Sequence, residues 1–168
     1  MHVREYNEDG DVEVVVLGKG YTGEITKAGL NGLLRDHRDA DVIAVSFPSA
    51  KGSIGATTFD YCYSLETAYF PSITGDIGKR AFEHCYNLVS VDFRSMEGDI
   101  IEDAFEHCYS LRAAHFPSMK GNIGTKAFDD CYSLEAAHFP SMKGNIGIRA
   151  FQSCRALTSL HFPLMEGS

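Results

Sequence analysis

Cysteine is the most reactive residue type in this chain, and it recurs at a single spacing. Five cysteines lie 23 residues apart in succession: Cys62, Cys85, Cys108, Cys131 and Cys154. A zinc site would favour paired C-x-x-C spacing, which the sequence lacks. Disulfides between neighbouring repeats fit the usual Cα separation, but five thiols cannot all pair. Since cysteine is also among the most buried residue types, we expect buried, structural and unreacted thiols.

Histidine offers a second chemistry at another recurring position. That position holds, repeat after repeat, Tyr69, Asp92, His115, His138 and His161. Imidazoles about 5 Å apart on neighbouring strands are able to bind a transition metal. The simpler interpretation is a row of solvated side chains copied with the repeat. We therefore assign no metal ligand and keep His115, His138 and His161 as an alternative metal site. His84 and His107 precede a cysteine. They are predicted to lie on the turn side, which is the surface formed by the turns between the strands.

The sequence contains no recognisable catalytic motif. Ser64, Ser110 and Ser133 recur as repeat positions, which indicates packing or a turn rather than a unique nucleophile with its own base. The segment GKGYTGE, residues 18–24, lacks the G-K-[ST] ending of a phosphate-binding loop. We predict a protein that is not an enzyme and that uses no cofactor.

The elements that hold these residues follow the same period. One phenylalanine precedes each cysteine by three residues, and a second follows it by eight. The first column is Phe59, Phe82, Phe105, Phe128 and Phe151, and the second runs from Phe47 through Phe70, Phe93, Phe116 and Phe139 to Phe162. A fixed period of this length predicts a solenoid, in which each unit buries its apolar face against its neighbours.

Each unit contains one short strand. In L-x-x-A-x-F, for example Leu134, Ala137 and Phe139, side chains alternate as in a half-buried strand. A proline after most of these strands lacks a ladder donor and suits a strand end, and the glycine that follows fits a turn. Stacking the units then produces a short ribbon with one parallel sheet.

The repeated phrase I-G-x-x-A-F-x-x-C-x-x-L-x-x-x-x-F-P resembles the BspA-type leucine-rich repeat, a 23-residue class of bacterial and some protozoan surface proteins. The resemblance implies a right-handed ribbon with its parallel β-sheet on a concave face, over residues 42–168 in five to six repeats. It also implies a cell-surface or secreted location. The sequence departs from the pattern where Arg94 replaces the proline and Ile101 replaces the glycine.

Both ends of the chain differ from the repeat. Residues 1–41 are predicted to form an N-terminal α/β cap, with a strand at VEVVVLG and a helix at TKAGLNGLLRDH that has Thr26 as its N-cap. At the other end LMEGS stands where the pattern calls for another unit. We expect an array truncated at its C-terminus, or one whose open end pairs with a second copy in a homodimer.

Composition restricts the partners. A net charge of −8 argues against nucleic acid, and no apolar run is long enough to insert into a membrane. The chain begins without a signal peptide, which is also compatible with a cytoplasmic location. We predict a protein partner, bound on the concave face by residues that vary between repeats: Glu66, Tyr69, Asp92, Arg112, His115, Glu135, His138 and His161. A structural spacer is the alternative, and glycan binding a weaker one.

Overall fold

The fold is a stack of short strands. The computed structural model describes residues 2–6, 12–17, 25–28 and 42–163. Within these ranges the strands are β1 (His2–Tyr6), β2 (Val12–Leu17), β3 (Val42–Ser46), β4 (Thr67–Tyr69), β5 (Ser90–Asp92), β6 (Ala113–His115), β7 (Ala136–His138) and β8 (Ser159–His161). We call each 23-residue unit that carries one of the strands β4–β8 a coil.

The strands form two sheets, ordered β1-β2-β3-β4-β5 and β6-β7-β8. Strand β1 is antiparallel to β2, whereas β2 to β5 and β6 to β8 pair in parallel. The register places equivalent positions opposite each other, as with Ala114 and Ala137. The repeat period therefore sets the register, and the predicted parallel-strand solenoid is confirmed.

The core consists of columns that run along the stack. Ring centroids are 5.0 to 5.3 Å apart in the column that begins at Phe59, and 5.5 to 5.8 Å apart in the column that begins at Phe47. Phe128 lies between Phe105 and Phe151, as the repeat predicts. A third column, of parallel bridges, joins the isoleucines from Ile25 to Ile146. Every coil thus buries its apolar residues against the next one.

The cysteines form another buried column, and none of the five forms a disulfide. Four are fully buried, and Cys154, in the last coil, is half-buried. The Cys108 thiol donates a hydrogen bond to the carbonyl oxygen of Phe82 in the preceding coil, at 3.2 Å. Burial raises the pKa of Cys108 well above its ordinary value, and that of Cys154 to about 12. These protonated, shielded thiols are poor nucleophiles, which agrees with their predicted structural role.

Glycine allows the coils to approach closely. A Cβ on Gly124 would lie 2.6 Å from the backbone nitrogen of Glu102 in the preceding coil, and one on Gly78 would lie 2.6 Å from that of Ala56. Neither glycine has a positive φ. The requirement at these positions is therefore space between neighbouring backbones, not the conformational freedom of a turn.

Only part of the N-terminal segment is described. The strand predicted at VEVVVLG is present as β2, which pairs with β3 at the start of the array. Strand β1 was not predicted. Lys27 and Ala28 are helical directly after Thr26, while the rest of the predicted helix lies outside the described residues.

Candidate functional site: the strand face

The strand face is the outward surface of β4 to β8 and of the residue pair that precedes each strand. In β4 the middle side chain, Ala68, is buried, while Thr67 and Tyr69 on either side of it are exposed. Ala114 and Ala137 repeat this arrangement in β6 and β7. The alternation follows from the two-residue period of a strand, and it leaves two outward side chains per strand.

The residues predicted to bind a partner all belong to this face. Glu66, Tyr69, Arg112, His115, Glu135 and His161 are exposed, and Asp92 and His138 are half-buried. The register brings Tyr69 opposite Asp92 and aligns His115, His138 and His161. Asp92 and His115 are not paired in the same way, because β5 and β6 belong to different sheets.

The hydrogen-bond ladder is interrupted between β5 and β6. At four equivalent places the amide after the strand donates to the next coil: Phe47 to Tyr69, Phe70 to Asp92, Phe116 to His138 and Phe139 to His161, at 2.9 to 3.0 Å. The corresponding bond from Phe93 to His115 is absent among the described contacts. The Phe93 and Phe116 rings are also the most widely spaced pair in their column, at 5.8 Å.

Asp92 and Arg94 account for this interruption. The backbone amide of Arg94 donates to Asp92 Oδ1 at 3.2 Å, and the Arg94 guanidinium pairs with the same carboxylate. This pairing holds the pKa of Asp92 below its ordinary value. The coils of β4, β6, β7 and β8 have a proline in place of Arg94, which has no amide hydrogen to donate. The replacement of proline by Arg94 thus gives the end of β5 a local pairing that the other coils lack.

A cleft lies at the interruption. It has a volume of about 430 Å³ and is lined by Val91, Asp92, Arg94, His115 and Pro117. The lining combines apolar contact with a guanidinium and an imidazole, a mixture typical of binding sites. The cleft is therefore a non-repeating feature on a repeating surface.

The three aligned histidines stand edge to face. The ring centroids of His115 and His138, and those of His138 and His161, are 6.0 Å apart. His138 Nε2 is already in hydrogen-bond contact with Ser159 Oγ at 2.9 Å. A metal shared by these imidazoles would have to displace that contact, and the alternative metal site stays a prediction.

Sequence reasoning missed an aromatic column on the turn side. Four tyrosines stack with centroid spacings of 4.8 to 5.0 Å, and the Arg155 guanidinium lies over the last ring: Tyr63, Tyr86, Tyr109 and Tyr132. The signal was available, because each tyrosine follows a cysteine directly. Their faces are used in contacts with each other, so the column presents ring edges and hydroxyl groups rather than open faces.

Acidic residues on the turn side were also missed. Glu83, Glu106 and Asp129 occupy one repeat position and are buried. Burial is the main cause that raises the pKa of Glu83 and of Asp129. Lys126 neutralises Glu106 at 2.8 Å across the coils. These charges are therefore held within the solenoid rather than displayed on the strand face.

A family model for the BspA-type leucine-rich repeat region matches residues 41–165 in six copies. The chain belongs to this family. The BspA-type repeat is thus shown over the whole stack from β3 to β8. No curated protein matches the chain. No helix in the described ranges is long and apolar enough to span a membrane.

Three solved structures are similar in fold to this chain. A leucine-rich repeat protein of T. pallidum is 25% identical, with a TM-score of 0.65 over 95% of this chain and 67% of the other. One from Bacteroides ovatus is 22% identical, with a TM-score of 0.60 over 96% and 40%. A leucine-rich cell surface protein from Faecalibacterium prausnitzii is 18% identical, with a TM-score of 0.56 over 98% and 55%. The chain spans about two thirds of the first protein and about half or less of the other two.

Proposed function

We propose that this BspA-type repeat chain is a non-enzymatic binding module that recognises a protein partner through its strand face. The observation that carries the proposal is the cleft between β5 and β6, where Asp92, Arg94 and His115 interrupt the repeating surface. A repeating surface offers a partner several equivalent registers. One charged, non-repeating feature distinguishes a single register, which is a requirement for specific recognition.

The surrounding residues support the same role. Their outward side chains change from coil to coil, from Tyr69 to Asp92 to His115, while the buried columns stay constant. Repeat proteins recognise partners through such extended faces. We also propose a cell-surface location. The BspA-type family and the similarity to a cell surface protein of F. prausnitzii support it.

The proposal is tested with a matched pair of double variants. Tyr69→Ala with Arg94→Ala alters the strand face, and Tyr63→Ala with Arg149→Ala removes the same residue types from elsewhere on the surface. Tyr69 and Tyr63 are 39% and 42% exposed, so the two truncations remove similar surface. Circular dichroism confirms that each variant is folded.

Peptides selected from a random phage-displayed library against the wild-type chain serve as probes. We expect the strand-face variant to bind them at least tenfold more weakly, in line with the loss of one or two interface residues. The control variant should bind them as the wild type does. Equal binding to both variants would contradict a strand-face site.

The second candidate function is that of a spacer within a longer protein. The observation in its favour is the close similarity of two successive coils, AFEHCYSLRAAHFPSMKGNIG and AFDDCYSLEAAHFPSMKGNIG. Coils that differ so little add length without adding a new surface. Deleting the whole coil of β5, which carries Asp92 and Arg94, separates the two functions. A spacer keeps its ligand affinity after the deletion, whereas a module with a site on the strand face does not.

A further inference from the structure

Asp60, Glu83 and His84 converge on the turn side, away from the strand face. One potential ligand atom from each lies within 4.8 Å of the other two. His84 Nδ1 is 3.6 Å from Asp60 Oδ1 and 3.9 Å from Glu83 Oε1. Asp60 comes from the coil of β4, and the other two residues come from the coil of β5, so the cluster joins two coils.

Two atoms of this cluster are buried without a hydrogen-bond partner. They are Asp60 Oδ1 and His84 Nδ1. Native proteins pair nearly all such atoms, and an exception calls for an explanation, for example a bound ion. The two atoms face each other at 3.6 Å, beyond hydrogen-bond distance, and an ion between them would pair both.

The three side chains are held in place by their surroundings. The His84 ring stacks on Tyr61, with centroids 4.4 Å apart and planes 6° apart. His84 has a left-handed backbone, with φ at 61°, and its amide donates to the carbonyl of Glu106 at 3.0 Å. The Glu83 side chain is only 9% exposed. A ligand therefore meets groups that are already ordered, which favours binding.

The next coil has the same residue types, and its His107 Nδ1 is also buried without a hydrogen-bond partner, but its acidic groups are paired differently. There Glu106 pairs with Lys126 Nζ at 2.8 Å, and His107 Nδ1 lies 3.2 Å from Asp130 Oδ2. In the first cluster the corresponding cation is Arg80, which lies 3.5 Å from Glu83. Asp60 and His84 face each other at 3.6 Å. The difference between the two coils makes His107 a natural control.

We propose that Asp60, Glu83 and His84 bind one divalent transition-metal ion, with zinc as the best fit. Bonds of about 2.0–2.2 Å in a tetrahedron place neighbouring ligand atoms roughly 3.3–3.5 Å apart. The separations from His84 are 3.6 and 3.9 Å and no pair of ligand atoms is more than 4.8 Å apart. Metal binding therefore requires the side chains to close by up to about 1.5 Å. The imidazole selects zinc over magnesium and calcium, which prefer oxygen ligands alone. Water is the expected fourth ligand.

Zinc titration of the 168-residue chain by calorimetry tests this site. We expect one equivalent to bind and the melting temperature to rise when zinc is added, because a ligand of the native state stabilises it. Asp60→Asn and His84→Gln should each weaken binding at least tenfold and remove the rise in melting temperature. His107→Gln should keep both properties, as should His138→Gln, which tests the histidines of the strand face.

Cobalt provides a second measurement that does not depend on the variants. Cobalt bound by oxygen and imidazole gives visible absorption without a thiolate charge-transfer band, and zinc should displace it. A thiolate band would place the metal on the cysteines and overturn the proposal. So would the absence of zinc binding at millimolar concentration, or an unchanged zinc affinity in folded Asp60→Asn and His84→Gln proteins.

Discussion

Single residues inside the stack contribute much of its stability. Phe128 is fully buried, with Phe105 on one side at 5.1 Å and Phe151 on the other at 5.3 Å. Phe162 lies in the last coil and is only half-buried. The same residue type therefore occupies an interior and a terminal position of one structure.

Phe128→Ala should lower the free energy of unfolding by about 3–5 kcal/mol, because it removes a buried ring and leaves a cavity. Phe162→Ala should cost clearly less, since fewer neighbours surround that ring. Denaturant unfolding of both variants measures the difference. A shift of only a degree or two in the melting temperature of Phe128→Ala would contradict its interior position.

Asp129 is a buried carboxylate with incomplete pairing. Its Oδ2 accepts a hydrogen bond from Gln152 Nε2 at 3.4 Å, and its Oδ1 has no partner. Burial, followed by the charge of Asp130, raises the pKa of Asp129 above its ordinary value of 3.8. The folded state therefore binds more protons than the unfolded state does above pH 3.8, and stability falls as the pH rises through the folded pKa.

Asp129→Asn removes this dependence on pH. We expect the variant to melt at a higher temperature than the wild type at pH 7, by up to a few degrees. Near pH 3 the carboxyl is largely protonated in both states, and the two proteins should melt within about a degree of each other. Thermal unfolding at the two pH values measures both effects. A variant less stable than the wild type at pH 7 would show that the ionised carboxylate is stabilising.

At the scale of elements, the interruption between β5 and β6 distinguishes one strand pair from the others. The amide of Phe93 lacks the bond to the next coil that Phe70 and Phe116 make. Hydrogen exchange reports local opening of such bonds. We expect the Phe93 amide to exchange faster than the amides of Phe70 and Phe116.

Arg94→Pro tests the cause of the interruption. It restores the residue found in the other coils and removes the amide hydrogen that Asp92 accepts. The Phe93 amide should then exchange as slowly as that of Phe116. Nuclear magnetic resonance resolves the individual amides. If Phe93 is already as protected as Phe116 in the wild type, the two sheets are continuous in solution.

At the scale of the whole molecule, the last coil leaves apolar surface uncovered. Ile146, Ile148 and Leu160 are 48%, 76% and 49% exposed. A cleft of about 210 Å³ beside them is lined by Met142, Gly144, Asn145, Ile146, Phe162 and Pro163. Exposed apolar side chains on one surface favour association.

We therefore predict that the 168-residue chain self-associates through this end. Leu160→Lys with Ile148→Lys should shift the equilibrium to monomer, because the charges lie on the contact surface. Analytical ultracentrifugation over a range of concentrations measures the change. Val89→Lys is the control, since Val89 is a similarly exposed apolar residue far along the chain from the last coil. A wild-type chain that is monomeric at high concentration would contradict the prediction.

The repeat itself is sufficient to predict the architecture. In a solenoid each residue contacts its own equivalent in the next coil, so the column from Phe105 through Phe128 to Phe151 can be read directly from the period. The same reasoning predicts the burial of four of the five cysteines and the exposure of Tyr69 and His115. These properties depend on one-dimensional spacing alone.

Contacts between individual polar side chains depend on the tertiary structure. Arg94 is a visible departure from the repeat, but its pairing with Asp92 depends on side-chain geometry within one coil, and the cleft depends on how this pair meets His115 and Pro117 of the next coil. From the sequence, His84 is predicted only to lie on the turn side. In the structure it has a left-handed backbone and lies against Asp60. Columns of identical residues follow from the period, whereas contacts between unlike residues depend on the angle at which each coil presents them.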